Sequence, residues 1–320
     1  MTLIVKWSSF QKKAEIVERD TPDGQSRSIF FSRYNSFMPE SATFEPVDYL
    51  VIGHVARDLT PNGIQLGGTA AYSALTAQAL GLRVGIVTAA GSELSLDPLK
   101  DIPLVSIESD SSTTFENIHE GSGRVQYLRS QADMVTFDHI PGSWHEAKIV
   151  HLAPIANEIE TNISKHFSSA FLGITPQGWM RQWDADGLVS AREWDESEFA
   201  LSQADAIVIS REDVDGDDEL IEHMAGKTKI LVVTESADGA VLYWNGDRRR
   251  FRAPSVEEVD ATGAGDVFAA AFFVRLWKTR DPWEATRFAT LIATHSVART
   301  GLNGIPTSRE IEESELVVIQ

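Results

Sequence analysis

The stretch Asp260–Phe273, DATGAGDVFAAAFF, places a glycine-rich turn directly before a run of strong helix formers. Such a turn at a helix N-terminus presents several backbone N–H groups in one direction, and the helix dipole adds positive charge there. Glycines let the backbone approach an anion closely, because they carry no Cβ. The backbone amides of Gly263, Ala264 and Gly265 are therefore predicted to hold a phosphoryl group.

Asp266 lies within the first turn of the predicted helix, beside this anion site. A carboxylate there can accept the proton of an attacking hydroxyl, which phosphoryl transfer to an alcohol requires. We predict that Asp266 is the general base of such a reaction. In the alternative interpretation this is an ordinary strand-to-helix turn, and Asp266 only complements the helix dipole.

Composition narrows the range of partners. The 320 residues include 28 Lys and Arg against 47 Asp and Glu, which gives a formal net charge of −19. This charge argues against nucleic acids and anionic membranes, because binding to them needs a basic face. The sequence has no cysteine, which excludes disulfide scaffolds, zinc–thiolate sites and cysteine nucleophiles. With neither a signal-peptide pattern nor an apolar run of membrane-spanning length, it predicts a cytoplasmic protein.

Short apolar segments alternate with helical patterns along most of the chain. Asp48–Gly53 predicts a buried strand, and the Ala-rich segment Gly67–Leu80 predicts a helix. The other predicted strands are Arg83–Val87, Lys148–Leu152, Phe171–Ile174, Ala206–Ser210 and Lys229–Thr234, and the other predicted helices are Glu158–Ser169, Asp195–Gln203, Ala264–Lys278 and Trp283–Arg299. Strands separated by helices indicate an α/β fold with a mostly parallel sheet.

Three regions are distinguished along the chain. Residues 1–45 are predicted to form an N-terminal arm, for which an ordered hairpin and a loosely held tail both remain open. Residues 46–310 are predicted to form a single domain, and residues 311–320 a C-terminal tail. Within the domain, Thr113–Gln126 predicts a β-hairpin around a Glu120–Gly123 turn. Together with residues 60–66, residues 113–129 are expected to form a small flap, or lid, outside the main sheet.

These motifs resemble the ribokinase-like sugar kinases, also called the PfkB family. Asp260–Asp266 is similar to the family signature D-T-x-G-A-G-D, and the resemblance runs from about Asp48 to about Pro306. It implies a three-layer fold, with a mostly parallel central sheet, helices on both faces and a small β lid. It also implies an ATP- and Mg²⁺-dependent kinase that transfers the γ-phosphoryl group to a hydroxyl of a small sugar or polyol.

Two segments resemble the substrate-binding motifs of this family. VIGHVARD ends at Asp58, which matches the Asp that binds substrate hydroxyls in relatives. LGGTAAYSA is similar to the family's G-G-x-x-x-N motif, and Gly67 and Gly68 would let the substrate approach the backbone. Tyr72 stands where ribokinase-type members have Asn. An aromatic residue near this position makes the sequence more similar to the myo-inositol kinase branch. Packing on a helix face is the other interpretation of Tyr72.

The resemblance also implies residues for the metal and the nucleotide. Ser210-Arg211-Glu212-Asp213 falls where the family has N-x-x-E, so Glu212 and Asp213 are expected near Mg²⁺ through water, unless they are surface acids at a helix start. The strand and turn Val232–Ala240 resemble T-x-G-x-x-G, with Ser236 in place of the first glycine. The expected nucleotide contacts are Thr234, Gly239, Thr262, Gly263, Gly265 and Gly301. A monovalent cation near Asp260 is common in relatives, so the resemblance includes such a site as a further expectation.

Some assignments remain open. Arg124, in the predicted flap hairpin, is expected to reach a substrate oxygen or phosphate, or else to be a solvated surface residue. The family's D-P-N is Thr175-Pro176-Gln177 here, and the aromatic segment that follows, up to Trp183, is expected near the site. The alternatives to a sugar or polyol kinase are a nucleoside kinase of the same fold, with Tyr72 stacking on the base, and a non-catalytic sugar or nucleotide sensor. Relatives often dimerise through the flap, so a homodimer is a further expectation.

Overall fold

A computed structural model describes residues 2–8, 13–19, 28–32, 44–61, 63–120, 123–194 and 197–315. For residues 2–32 of this set, and for residues 119, 120, 123 and 124, the description is limited to the backbone. None of the helices within the described residues is long and apolar enough to cross a membrane.

The described residues form strands, α-helices and short 3-10 helices. The strands are β1 (Thr2–Ser8), β2 (Lys13–Arg19), β3 (Ser28–Ser32), β4 (Tyr49–Ile52), β5 (Ala56–Thr60), β6 (Gly63–Gly67), β7 (Val84–Ala90), β8 (Leu104–Glu108), β9 (Thr114–Glu120), β10 (Gly123–Ser130), β11 (Ile149–Leu152), β12 (Phe171–Ile174), β13 (Arg181–Trp183), β14 (Val189–Ala191), β15 (Ala206–Ser210), β16 (Ile230–Thr234), β17 (Ala240–Trp244) and β18 (Asp247–Phe251). The α-helices are α1 (Thr69–Ala79), α2 (Ser197–Gln203), α3 (Asp218–Lys227), α4 (Ala264–Thr279), α5 (Pro282–Ser296) and α6 (Ser308–Glu315).

The large sheet has 12 strands in the order β18-β17-β16-β15-β12-β11-β4-β7-β8-β1-β2-β3. From β16 to β8 the neighbouring strands pair in parallel, and β17 and β18 add an antiparallel hairpin at one edge. The strands β4, β7, β11 and β12 are buried along their whole length, as expected for a parallel sheet that is covered on both faces. This arrangement confirms the predicted parallel α/β sheet.

Alternate residues of the central strands pack into two separate cores. Leu50 and Ile52 of β4 lie in one core with buried residues of α2 and α3. Tyr49 and Val51 lie in the other core with buried residues of α1, α4 and α5. Because successive side chains of a strand point to opposite faces, the helices form one layer on each side of the sheet. The predicted three-layer fold is confirmed.

The lid is a four-stranded sheet with the order β10-β9-β5-β6. In it β5 pairs in parallel with β9, while β6 and β10 pair antiparallel to their neighbours. The predicted flap is therefore present, and it begins at Ala56, before residue 60, so that Asp58 itself lies in a lid strand. Of the predicted Glu120–Gly123 turn, residues 121 and 122 lie outside the described residues. Dimerisation through these strands stays a prediction.

Other predicted segments differ in detail from the structure. Within residues 1–45, β1 pairs in parallel with β8, and β2 and β3 continue the large sheet beyond it. Glu158–Ser169 contains a 3-10 helix at Thr161–Phe167 in place of a regular α-helix. One local reason is that the Ser164 hydroxyl bonds to a backbone carbonyl of the same turn. At the other end, α6 crosses the predicted boundary at residue 310.

Candidate active site

The glycine-rich turn of the signature leads into α4 at the carboxyl edge of the sheet. Gly263 is the N-cap of α4 and has a φ of 80°, in the left-handed region that favours glycine. Gly265 and Asp266 are the second and third residues of the helix, where helix geometry leaves the backbone N–H groups without an intrahelical partner. The amide of Ala264 instead donates to the Ala261 carbonyl at 3.2 Å, so it closes the turn. The predicted anion site therefore depends chiefly on the backbone N–H groups of Gly263 and Gly265.

Asp266 is half-buried and is held by a residue from a distant part of the chain. The Thr69 hydroxyl, in the first turn of α1, donates to Asp266 Oδ1 at 2.7 Å. The pKa of Asp266 is raised from 3.8 to about 6, chiefly by burial and also by the charges of Asp58 and Asp213, while the Thr69 hydrogen bond and the charge of Arg181 oppose the rise. A carboxylate with a pKa just below neutrality is suited to accept a proton and release it again.

Asp58 and the glycine pair lie together, as the resemblance implies. In the lid, Ala56 pairs with Gly67 and Asp58 with Gln65. A Cβ at position 67 would lie 2.9 Å from Asp58 Cγ, so the carboxylate covers the backbone of this glycine. Gly68 has a φ of 85°, and a Cβ there would lie 2.8 Å from the His54 carbonyl oxygen. Both glycines are thus required by close contacts within the protein, next to the carboxylate expected to bind substrate.

Tyr72 packs against the glycine-rich turn of the signature. Its side chain is only 3% exposed. A Cβ at Gly263 would lie 2.5 Å from Tyr72 Cζ, so the ring lies directly against the backbone of this glycine. Burial raises the pKa of the Tyr72 hydroxyl, with contributions from the charges of Asp58, Asp266 and Asp260. This geometry corresponds to the packing interpretation of Tyr72 and leaves its ring no open face on which a nucleobase could stack.

Of the two carboxylates expected near the metal, the structure brings Asp213 to the site. Asp213 accepts hydrogen bonds from the Ser210 backbone N–H at 2.8 Å and from Gln177 Nε2 at 3.0 Å. Its charge raises the pKa of Asp266, so the two carboxylates are close enough to interact electrostatically. Glu212 is exposed. Each Asp213 oxygen keeps a lone pair, which fits an indirect, water-mediated contact with a metal ion.

The departure from D-P-N has a structural explanation. His151 is fully buried, and its Nε2 and Nδ1 lie 2.9 Å from the Thr175 hydroxyl and 2.8 Å from the Tyr49 hydroxyl. Burial lowers the pKa of His151 to about 3, so the ring is neutral. Thr175 therefore joins a buried network, and Gln177 reaches Asp213. These two replacements connect the loop after β12 to both the sheet interior and the site.

The residues expected to contact the nucleotide lie in the signature, near the end of β16 and after α5. Asp260 accepts hydrogen bonds from the backbone N–H groups of Thr262 and Gly301, both at 2.9 Å, and so joins the signature to the segment after α5. At the end of β16, Thr234 donates to the Ile209 carbonyl at 3.3 Å. Gly239 has a φ of 93° and packs against the backbone of residues 251–253. The backbone of Arg124 pairs with His119 in the lid, and its side chain lies outside the described residues.

The sequence analysis did not identify two residues of the site, Thr69 and Arg181. Thr69 follows the glycine pair and holds Asp266, and the sequence gives no signal for this contact except its position. Arg181 lies in the aromatic segment expected near the site, and the charge of its guanidinium reaches Asp266. Among the described residues, no group of three or more His, Asp or Glu side chains is arranged to hold a metal ion.

Residues 190–308 match the family of pfkB carbohydrate kinases. The match contains the signature turn and Asp266, and it confirms the resemblance seen in the sequence and the prediction of a carbohydrate kinase. The chain is 28% identical over 262 residues to the cytidine kinase of Thermococcus kodakarensis, covering 75% of this chain and 92% of that protein. It is 27% identical to the fructokinase of Escherichia coli, covering 59% of this chain and 67% of the relative.

Solved structures of the ribokinase family share the fold. A pyrophosphate-dependent kinase in complex with sulfate superposes with a TM-score of 0.70 at 24% identity, covering 83% of this chain and 99% of its own. The ribokinase of Arabidopsis thaliana, in complex with ribose and ATP, gives a TM-score of 0.63 at 15% identity, covering 85% of this chain and 100% of its own. The chain is thus similar to sugar and nucleoside kinases, whose substrates are small molecules.

Proposed function

We propose that this protein transfers the terminal phosphoryl group of ATP to a hydroxyl of a small sugar or polyol. The observation that carries the proposal is Asp266, a half-buried carboxylate with a pKa of about 6 at the N-terminus of α4. A residue that only complemented a helix dipole would not need burial beside two further carboxylates. The position instead combines a base with an anion site, the two parts that phosphoryl transfer to an alcohol requires.

The proposed mechanism assigns one task to each group. Asp58 accepts hydrogen bonds from acceptor hydroxyls and orients one of them towards Asp266. At pH 7 about nine-tenths of Asp266 molecules are ionised, given a pKa of about 6, and can accept the proton of that hydroxyl. The N–H groups of Gly263 and Gly265 stabilise the charge on the transferring phosphoryl group. The lid strand that carries Asp58 excludes water, which would compete as the phosphoryl acceptor.

ATP is the proposed donor because apolar side chains border the signature. Val256 and Val259 are 43% and 59% exposed in the segment that leads into Asp260. A nucleobase would cover such side chains, whereas pyrophosphate has no apolar part. Pyrophosphate remains the donor to compare, since structural neighbours of this chain use it. Mg²⁺ would be held by the donor phosphates, with Asp213 acting through water, and would supply charge neutralisation.

For the acceptor we propose a polyol, with myo-inositol tested first. A neighbouring structure, at a TM-score of 0.67, contains myo-inositol, and Asp58 offers two carboxylate oxygens for adjacent hydroxyls. A nucleoside is the second candidate, supported by the match to a cytidine kinase over 75% of this chain. In this case the aromatic contact would come from Trp183, which is half-buried against the cluster around Phe115, because Tyr72 and Phe115 are both covered.

The test measures ADP release from ATP and Mg²⁺ with myo-inositol, ribose, fructose and cytidine as acceptors. Wild type is compared with Asp266→Asn, which keeps the shape of the side chain, and with the exposed Asp101→Asn as a control. One acceptor that gives rapid ADP release with wild type, and none with Asp266→Asn, supports the kinase proposal. Thermal stabilisation by sugar or ATP without any ADP release would instead indicate the sensor.

A further inference from the structure

The strands β13 and β14 form a hairpin that extends the lid. Tyr127 of β10 forms an antiparallel bridge with Leu188, and the Leu128 N–H donates to the Gly187 carbonyl at 2.8 Å. The hairpin tip thus continues the lid sheet beyond β10. Its first strand begins at Arg181, directly after the 3-10 helix Pro176–Met180. The hairpin therefore connects the lid to the loop after β12.

The base of this hairpin is fixed by buried aromatic residues. Trp179 is buried, stacks on Trp194 with 5.3 Å between ring centroids, and donates its indole N–H to the Ile159 carbonyl at 2.7 Å. Arg192, across the hairpin, donates from Nε to the Trp179 carbonyl at 3.0 Å. A residue that follows this base closely has a well-defined backbone position, and Arg181 is two residues beyond Trp179.

Arg181 lies between the lid and the carboxyl edge of the sheet. Its Nη1 is 3.4 Å from the Ile155 carbonyl oxygen, in the loop after β11, and its Cζ is 5.7 Å from the centroid of the Phe115 ring. Phe115 is the residue of β9 that pairs with Asp58 in β5. The guanidinium is therefore close to the lid position of Asp58, and its charge also lowers the pKa of Asp266. It lies on the acceptor side of the site.

We propose that Arg181 binds the acceptor and helps to determine which acceptor is phosphorylated. The inference rests on the proposed function. A polyol hydroxyl both donates and accepts hydrogen bonds, and Asp58 can only accept them. The guanidinium of Arg181 supplies the matching donors in a planar fork, which suits two neighbouring oxygens. Acceptors that place a hydroxyl against Asp58 and another oxygen against Arg181, such as polyols and sugars, are thus favoured over deoxygenated analogues.

The experiment compares wild type, Arg181→Met, Arg181→Lys and a control, Arg309→Met. Arg309 is 84% exposed and pairs with Glu313 in α6, so its replacement removes an arginine far from the site. We expect Arg181→Met to raise the KM for the acceptor by about 10- to 100-fold, the effect of losing a charge-assisted hydrogen bond. The KM for ATP should stay within about twofold, and Arg181→Lys should be intermediate.

A second measurement distinguishes substrate contact from a purely structural effect. Because the positive charge of Arg181 lowers the pKa of Asp266, Arg181→Met should shift the acid limb of the kcat/KM profile to higher pH. Arg309→Met should not shift it. Calorimetric titration of the acceptor into Asp266→Asn, with and without Arg181→Met, measures binding without turnover and should show the same loss of affinity.

The outcomes separate the two claims. An unchanged acceptor KM in Arg181→Met, or a rise confined to the KM for ATP, overturns the assignment of Arg181 and leaves the kinase proposal intact. Wild-type protein that neither binds nor phosphorylates any acceptor of the panel overturns the proposed function, and the assignment of Arg181 with it.

Discussion

The substitution Gly263→Ala tests whether the turn on top of Tyr72 is the phosphoryl-binding element. A Cβ at this position would lie 2.5 Å from Tyr72 Cζ, whereas ordinary van der Waals contacts begin at 3.4 Å. Relief needs a movement of about 1 Å, and a misplacement of this size can lower a rate about 100-fold. The φ of 80° adds strain of about 1–2 kcal/mol for alanine. We therefore expect kcat to fall about 100-fold with a modest loss of stability.

The assay is ADP release at saturating ATP and acceptor, together with thermal unfolding. Gly226→Ala is the matched control, since a Cβ at Gly226 in α3 has no heavy atom within 4 Å, and it should keep wild-type kcat. In the double variant Gly263→Ala/Tyr72→Ala the ring is absent, so kcat should recover about tenfold relative to Gly263→Ala alone. Wild-type kcat in Gly263→Ala, or no recovery in the double variant, would refute the reasoning.

Three further predictions concern pH. The kcat/KM for the acceptor should fall as the pH drops through about 6, because Asp266 becomes protonated, and a profile flat down to pH 5 would contradict this role. Thr69→Val removes the hydrogen bond that lowers the pKa of Asp266, so the acid limb should move to higher pH; a shift to lower pH would contradict it. Burial lowers the pKa of His151 to about 3 in the folded protein, so below about pH 6.5 the unfolded state binds more protons and stability falls with the pH. The loss is about 2 kcal/mol between pH 7.5 and pH 5, measured by urea unfolding, and it should be absent in His151→Gln.

The sequence was sufficient for the features that depend on local patterns. Buried strands such as Lys148–Leu152 follow from short apolar runs, and the anion-binding turn follows from glycines next to strong helix formers. The lid hairpin follows from β-branched and aromatic residues on either side of a glycine turn. These signals are local, because backbone conformation and burial of one face are decided by neighbouring residues.

Contacts between distant segments could not be predicted in this way. Thr69 and Asp266 are 197 residues apart and meet only because α1 and α4 pack on the same face of the sheet. The role of Tyr72 depends on the same packing, which covers its ring with the backbone of Gly263. Arg181 reaches the acceptor side because a hairpin joins the lid, and the sequence indicated only an aromatic segment there. Each of these positions is set by tertiary packing.

The most direct test of the account is the rate of ADP release by Asp266→Asn with the best acceptor of the panel. We predict a kcat lower by about two to four orders of magnitude, the contribution of a general base, while ATP still raises the melting temperature as in wild type. A variant that releases ADP at the wild-type rate would contradict the assignment of Asp266, and with it the proposed mechanism.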